Sequence, residues 1–131
     1  MKFLRDYLDD KQSAIFKEHG AYFAFSNEQH KEQATEGVKY VHIGAGLICP
    51  KLQAKSLIDA LDKSYKEGIA EDMEENGKQA IIERELWNHE AIYVYSTEST
   101  IDALKSYPIT EAEIIAVFRE LCNLQTKALY S

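Results

Sequence analysis

Apolar residues recur at helical spacing in several stretches of the chain and take strand-like order in two. Phe3, Leu4, Tyr7, Leu8, Ile15 and Phe16 lie near a 3.6-residue period and run up to Gly20, a natural helix C-cap. Ala21 to Ser26 is compact and aromatic, with Phe23 and Phe25 on one face and Tyr22 on the other, the pattern of a half-buried strand. Ser26-Asn27 opens a short polar helix that stops at Gly37. Val38 to Ile43 is β-branched and aromatic and reads as a second strand, ending in Gly44-Ala45-Gly46. Pro50 suits the first turn of the next helix, where Ala54, Leu57, Ile58, Leu61 and Tyr65 form one stripe and Gly68 closes it.

Asn76-Gly77 predicts either a turn or a weak point in one long helix. Beyond it Ile82, Leu86, His89 and Tyr93 fall on one line, while Ile92 to Tyr95 reads equally well as a third, short strand. Ser99 caps a short helix holding Ile101 and Leu104, which Tyr107-Pro108 ends. Thr110-Glu111-Ala112-Glu113 fits a capping box, and Ile114, Val117, Phe118, Leu121 and Cys122 form the stripe of the last helix. The first two strands are joined by about ten residues, short for a right-handed crossover, so an antiparallel pairing is expected. The expected fold is helix-rich α+β, a small antiparallel sheet of two or three strands packed against four to six helices.

With 131 residues, 45% of them hydrophobic and 28% charged, residues 1–131 are expected to form a single globular domain. No apolar run approaches the roughly 18 residues that span a bilayer, and the opening Met1 to Asp6 is too broken by charge for a signal peptide. Cys49 and Cys122, each set among apolar residues, read as buried thiols in a reducing, cytoplasmic setting. A net charge of −7 disfavours direct nucleic-acid binding, which depends on Lys and Arg, and leaves open a basic protein partner. A homo-oligomer is also compatible with the sequence.

Chemistry concentrates in Glu85-Leu86-Trp87-Asn88-His89-Glu90-Ala91. Glu85 and His89 are one helical turn apart and could pair or share a metal ion, and with Glu90 they form the alternative catalytic set of a small acid–base or metal-dependent enzyme or ligand-binding protein. The leading expectation is architectural: His89 lies on the buried line between Leu86 and Tyr93, bonded to a backbone carbonyl or to Glu85. No cofactor, metal or catalytic residue is assigned on that reading. Gly44-Ala45-Gly46 is no dinucleotide fingerprint, since Cys49 stands where a third glycine belongs, and a tight turn explains it better. Tyr22, Phe23, Phe25 and Tyr40 could stack bases, but without a basic groove core packing is the better account. The acidic cluster Glu71, Asp72, Glu74 and Glu75 is the candidate partner-binding surface.

Taken in order, Ala21-Tyr22-Phe23-Ala24-Phe25-Ser26, Ile43-Gly44-Ala45-Gly46 and Glu85-Leu86-Trp87-Asn88-His89-Glu90 resemble a family of small uncharacterised proteins of bacteriophages and bacteria, a domain of unknown function. The resemblance covers about residues 15–118 and implies a genomic setting and no chemistry. Small acidic phage proteins often inhibit host defence, as anti-CRISPR proteins do. The expected function is therefore a non-enzymatic binding protein, a phage-encoded inhibitor of a basic host defence effector acting by protein–protein contact.

Overall fold

The computed structural model describes residues 1–130, with side-chain burial through 127. Among them are six α-helices and one three-stranded antiparallel sheet, a helix-rich α+β fold as the hydrophobic pattern predicts. The chain divides into a compact unit from Met1 to Ala70 and a second that begins at Glu71.

The first unit opens with α1 (Leu4–Glu18). Asp6 accepts the Phe3 N–H at 2.8 Å, which ties down the free end of the first turn. At the other end Gly20 takes φ +66°, the Ala21 N–H reaches the Phe16 carbonyl at 2.8 Å, and the Gly20 N–H reaches that of Lys17 at 3.3 Å. This double bond pattern is a Schellman motif, and it needs the left-handed residue that glycine supplies. The chain then enters β1 (Tyr22–Phe23) and α2 (Asn27–Gln33). The Ser26 hydroxyl caps α2 by accepting the Gln29 N–H at 3.2 Å, and the Gln29 side chain accepts the Phe25 N–H at 2.7 Å. The helix stops four residues before Gly37, earlier than the glycine suggests.

β2 (Tyr40–Gly44) and β3 (Leu47–Pro50) form a hairpin in which Gly44 pairs with Leu47 across the two-residue turn Ala45-Gly46. Both turn residues have positive φ, +51° and +82°, as a type I′ turn requires. β3 is the central strand, in the order β1-β3-β2. The third strand is therefore Leu47–Pro50, and not Ile92 to Tyr95, where the chain instead makes the one-turn α4 (Ala91–Val94). Pro50 ends this strand rather than starting a helix. It stands opposite Tyr40, and the ladder is continued by the Lys51 N–H, which bonds the Lys39 carbonyl at 2.9 Å. A 3-10 turn, Lys51–Gln53, leads into α3 (Ala54–Asn88).

The core of this unit is Leu47, Cys49 and Leu57, with Ile15, Phe16, Val41, Ile43 and Leu61 against it, so β2 and β3 close on α1 and the first turns of α3. Cys49 is fully enclosed, and burial pushes its thiol pKa up. Gly68 does not end a helix. It lies buried within α3, where a Cβ would meet Leu8 Cδ2 at 2.5 Å, so the missing side chain is what lets Leu8 of α1 pack there.

In the second unit α3 breaks at Gly77, with φ +79° and ψ 162°, and resumes to Asn88. After α4 come α5 (Glu98–Ala103) and α6 (Glu111–Tyr130). α5 begins one residue before Ser99, and the Ser96 hydroxyl accepts the Glu98 N–H at 3.3 Å. The capping box of α6 is present as its sequence predicts: Thr110 Oγ1 accepts the Glu113 N–H at 3.1 Å and Glu113 Oε1 accepts the Thr110 N–H at 2.9 Å. That backbone bond and Lys78, 3.2 Å away, hold the Glu113 carboxyl below its usual pKa. No helix of the described residues is long and apolar enough to cross a membrane.

Candidate functional site

The polar centre of the second unit is built around Asp72. Twelve residues of continuous helix would separate Asp72 from Arg84 by about 18 Å, yet Arg84 Nη1 and Nη2 lie 2.8 and 2.9 Å from the two oxygens of Asp72. The break at Gly77 folds the chain back and makes that pairing possible. Only glycine is at ease at these dihedrals, because a Cβ there would clash with the backbone. Asn76 Nδ2 donates to Asp72 Oδ1 at 2.8 Å and the Tyr107 hydroxyl to Oδ2 at 2.5 Å. Each carboxylate oxygen thus accepts two bonds, the full capacity of the group.

Asp72 is 0% exposed. Burial alone would raise its pKa, but the Arg84, Tyr107 and Asn76 donors outweigh this and hold it below the usual carboxylate range. Burial and the adjacent Asp72 charge push the Tyr107 hydroxyl the other way, well above its ordinary value. The expectation that Asp72 joins Glu71, Glu74 and Glu75 on a docking surface is corrected here. Its position on α3 faces inward to a cation that sequence reading did not connect with it. The surface keeps the exposed Glu71, Glu74 and Glu75.

Arg84 carries the network outward. Its Nε donates to Glu85 Oε1 at 2.9 Å, while Glu85 Oε2 lies 3.5 Å from Asn88 Nδ2 and 3.4 Å from His89 Nε2. Glu85 is buried, and its backbone carbonyl accepts the Thr100 hydroxyl at 3.4 Å. His89 is half-buried beside Glu85, so the expected pairing of these two residues is present. Glu90 does not join them. It follows the end of α3 in the left-handed conformation, φ +54°, and is exposed. No group of three or more His, Cys, Asp and Glu side chains that could hold a metal ion occurs among the described residues.

The buried line drawn through Leu86, His89 and Tyr93 ends early. α3 stops at Asn88 and the chain turns at Glu90, so the helical phase is lost and Tyr93 emerges 73% exposed. Trp87 is 46% exposed with its ring centroid 6.5 Å from that of Tyr93, and Val94 and Tyr95 follow at 61% and 78%. Tyr95 also has positive φ, +51°, and its ring lies 5.6 Å from that of Phe118. Sequence periodicity hid these aromatics because it assumed an unbroken helix. The available signal was the alternative reading of Ile92 to Tyr95 as a separate element.

In the first unit Tyr22, His30 and Tyr40 pack together, with the Tyr22 hydroxyl 2.7 Å from His30 Nδ1 and the two tyrosine ring centroids 5.7 Å apart. Tyr22 and Tyr40 are thus half-buried in a ring cluster with His30 and stand outside the core around Cys49, so core packing does not describe the four aromatics. Phe23 and Phe25 stack on one another at 6.4 Å and stay exposed. Gly46 lies beneath the Phe25 ring, which leaves no room for a Cβ, and so Gly44-Ala45-Gly46 is occupied as a turn. Both cysteines are free thiols, and the Cys49 thiol donates to the Pro50 carbonyl at 3.2 Å.

Charge divides sharply between the units. Residues 1–70 hold ten acidic and ten basic side chains, whereas residues 71–131 hold twelve acidic and five basic, so the second stretch carries the whole net charge of −7.

Fold and charge together define a small helix-rich α+β protein with an acidic second unit, a buried carboxylate–guanidinium network and exposed aromatics beside it. The chain belongs to the family of unknown function DUF7659, whose model matches residues 4–125. No curated protein and no solved structure matches it.

Proposed function

We propose that this chain is a non-enzymatic binding protein whose acidic second unit docks on a basic protein partner. The observation that carries the reading is the charge division: the full −7 lies in residues 71–131, and Glu71, Glu74 and Glu75 are exposed there. A field of one sign accelerates encounter with a partner of the other sign and disfavours phosphate-bearing ligands. In its narrower form the partner is a host defence protein with a basic face and the chain a phage-encoded inhibitor of it, a reading supported by small size and acidity.

The acid–base reading of Glu85, His89 and Glu90 has less support. Arg84 and Asn88 already occupy the Glu85 carboxylate, and Glu90 lies apart from the pair. A general base needs a free lone pair within reach of a substrate proton. The test is a pull-down from lysate of the producing cell at 50 and 500 mM salt, with wild type and the Glu71→Lys/Glu74→Lys/Glu75→Lys variant. A protein retained by wild type at low salt and lost in the variant is the expected result. An identical retained set for both proteins overturns the acidic surface.

A further inference from the structure

Resting on that reading, we infer that the Trp87–Tyr93 pair is where an arginine-bearing segment of the protein partner seats. The ring centroids stand 6.5 Å apart with planes inclined at 59°, and both residues are open to solvent, Trp87 at 46% and Tyr93 at 73% exposure. The two rings stay open although Leu86 and Ala91, their neighbours in sequence, are completely enclosed. They stand where α3 ends and the chain reverses through the left-handed Glu90, a non-glycine residue held in a conformation that costs about 1–2 kcal/mol. The same reversal is what brings Tyr93 round to Trp87.

The charges around the pair choose the occupant. Glu83, half-buried and accepting the Gln79 amide at 3.0 Å through one oxygen, lies one turn before Trp87 on α3, and the exposed Glu90 lies three residues after it. Glu85 is committed to Arg84 beneath. An aliphatic partner surface would leave these carboxylates desolvated without a counter-charge. A guanidinium satisfies both requirements: its face is attracted to an indole or phenol ring, and its five N–H groups reach flanking carboxylates. Lysine offers a point charge with no planar face, so arginine is preferred. Trp, Tyr and Arg are also the side chains that dominate interface energetics.

Trp87 is the chain's single tryptophan, so its fluorescence reports on this site alone. The test is titration of the full chain with a nona-arginine peptide at 50 mM salt, repeated with nona-lysine and with the Tyr93→Ala and Glu83→Gln/Glu90→Gln variants. Tyr93 is mostly exposed, so its truncation leaves the fold in place. Saturable change in Trp87 emission is expected, with nona-lysine binding more weakly. Tyr93→Ala should weaken nona-arginine binding about two- to fivefold, the range of an exposed cation–π contact. Binding that leaves Trp87 emission unchanged, or is equal in wild type and Tyr93→Ala, overturns the inference. If the peptide binds and only Glu71→Lys/Glu74→Lys/Glu75→Lys abolishes it, the acidic docking surface stands and the aromatic seat falls. If nona-arginine does not bind at all, both fall.

Discussion

Asp72 shows how far one side chain's surroundings can depart from what its neighbours in sequence suggest. Glu71, Glu74 and Glu75 are exposed around it, yet its own oxygens take four donors in a site closed to solvent. Removing one partner of such a pair strands the other charge, so Asp72→Asn or Arg84→Met alone should lower unfolding free energy by about 3–5 kcal/mol in urea denaturation. The double variant Asp72→Leu/Arg84→Met should cost less than the sum, and strict additivity would show that the two residues are not coupled. The same network sets a pH window. Asp72 has a lower pKa folded than unfolded, so its stabilisation is present above its unfolded value of about 4 and is lost as the pH falls through the folded value. Tyr107 has a higher pKa folded than unfolded, so stability should decline once the pH exceeds about 10, its unfolded value. Stability measured against pH should show a shallower acid slope in Asp72→Asn, where that of Glu113 remains, and a shallower alkaline slope in Tyr107→Phe, where that of the buried Cys49 thiol remains.

At the scale of elements, what the sequence made legible is what local chemistry decides. Gly20 and the Thr110–Glu113 box end and begin helices through bonds between residues a few positions apart, and both are present as read. The third strand was not legible, because Leu47–Pro50 is four residues long and ends in a residue that also suits a helix start. It is accepted there because the partner strand β1 pairs only with Leu47 and Ile48 and never reaches Pro50. Gly68 misled for a different reason: its lost side chain serves packing against Leu8, a contact sixty residues away in sequence. The candidate site divides the same way. The Glu85–His89 pairing follows from helical spacing, whereas Arg84 meets Asp72 only because Gly77 turns the helix back. Gly77→Ala should therefore cost about 1–3 kcal/mol although nothing lies within 4 Å of the added methyl. Thermal melts would check this, and an unchanged midpoint would mean the reversal at Gly77 does not need glycine. Glu90→Gly should act in the opposite direction, raising stability by up to about 1–2 kcal/mol by relieving a left-handed glutamate.

At the scale of the whole molecule the decisive quantity is the uneven distribution of charge. Twelve acids against five bases from residue 71 onward oppose one another in the folded state, and several compensating pairs are exposed. Lys105–Asp102 at 3.6 Å and Lys78–Glu113 at 3.2 Å are of the solvent-accessible kind, which contributes little to stability. The buried Asp72–Arg84 pair is shielded from solvent ions and responds little to them. Raising the salt from 0.01 to 0.15 M shortens the screening length from about 30 Å to about 8 Å. It should weaken the long-range repulsion more than the short exposed pairs, and so the melting temperature should rise. For a chain of this size each kcal/mol corresponds to a shift of roughly 2–8 °C, so the effect is measurable by scanning calorimetry. A melting temperature that falls with salt would show that the exposed ion pairs outweigh the repulsion. In that case the acidic unit would be a self-compensated surface, with little field left over to attract a basic partner.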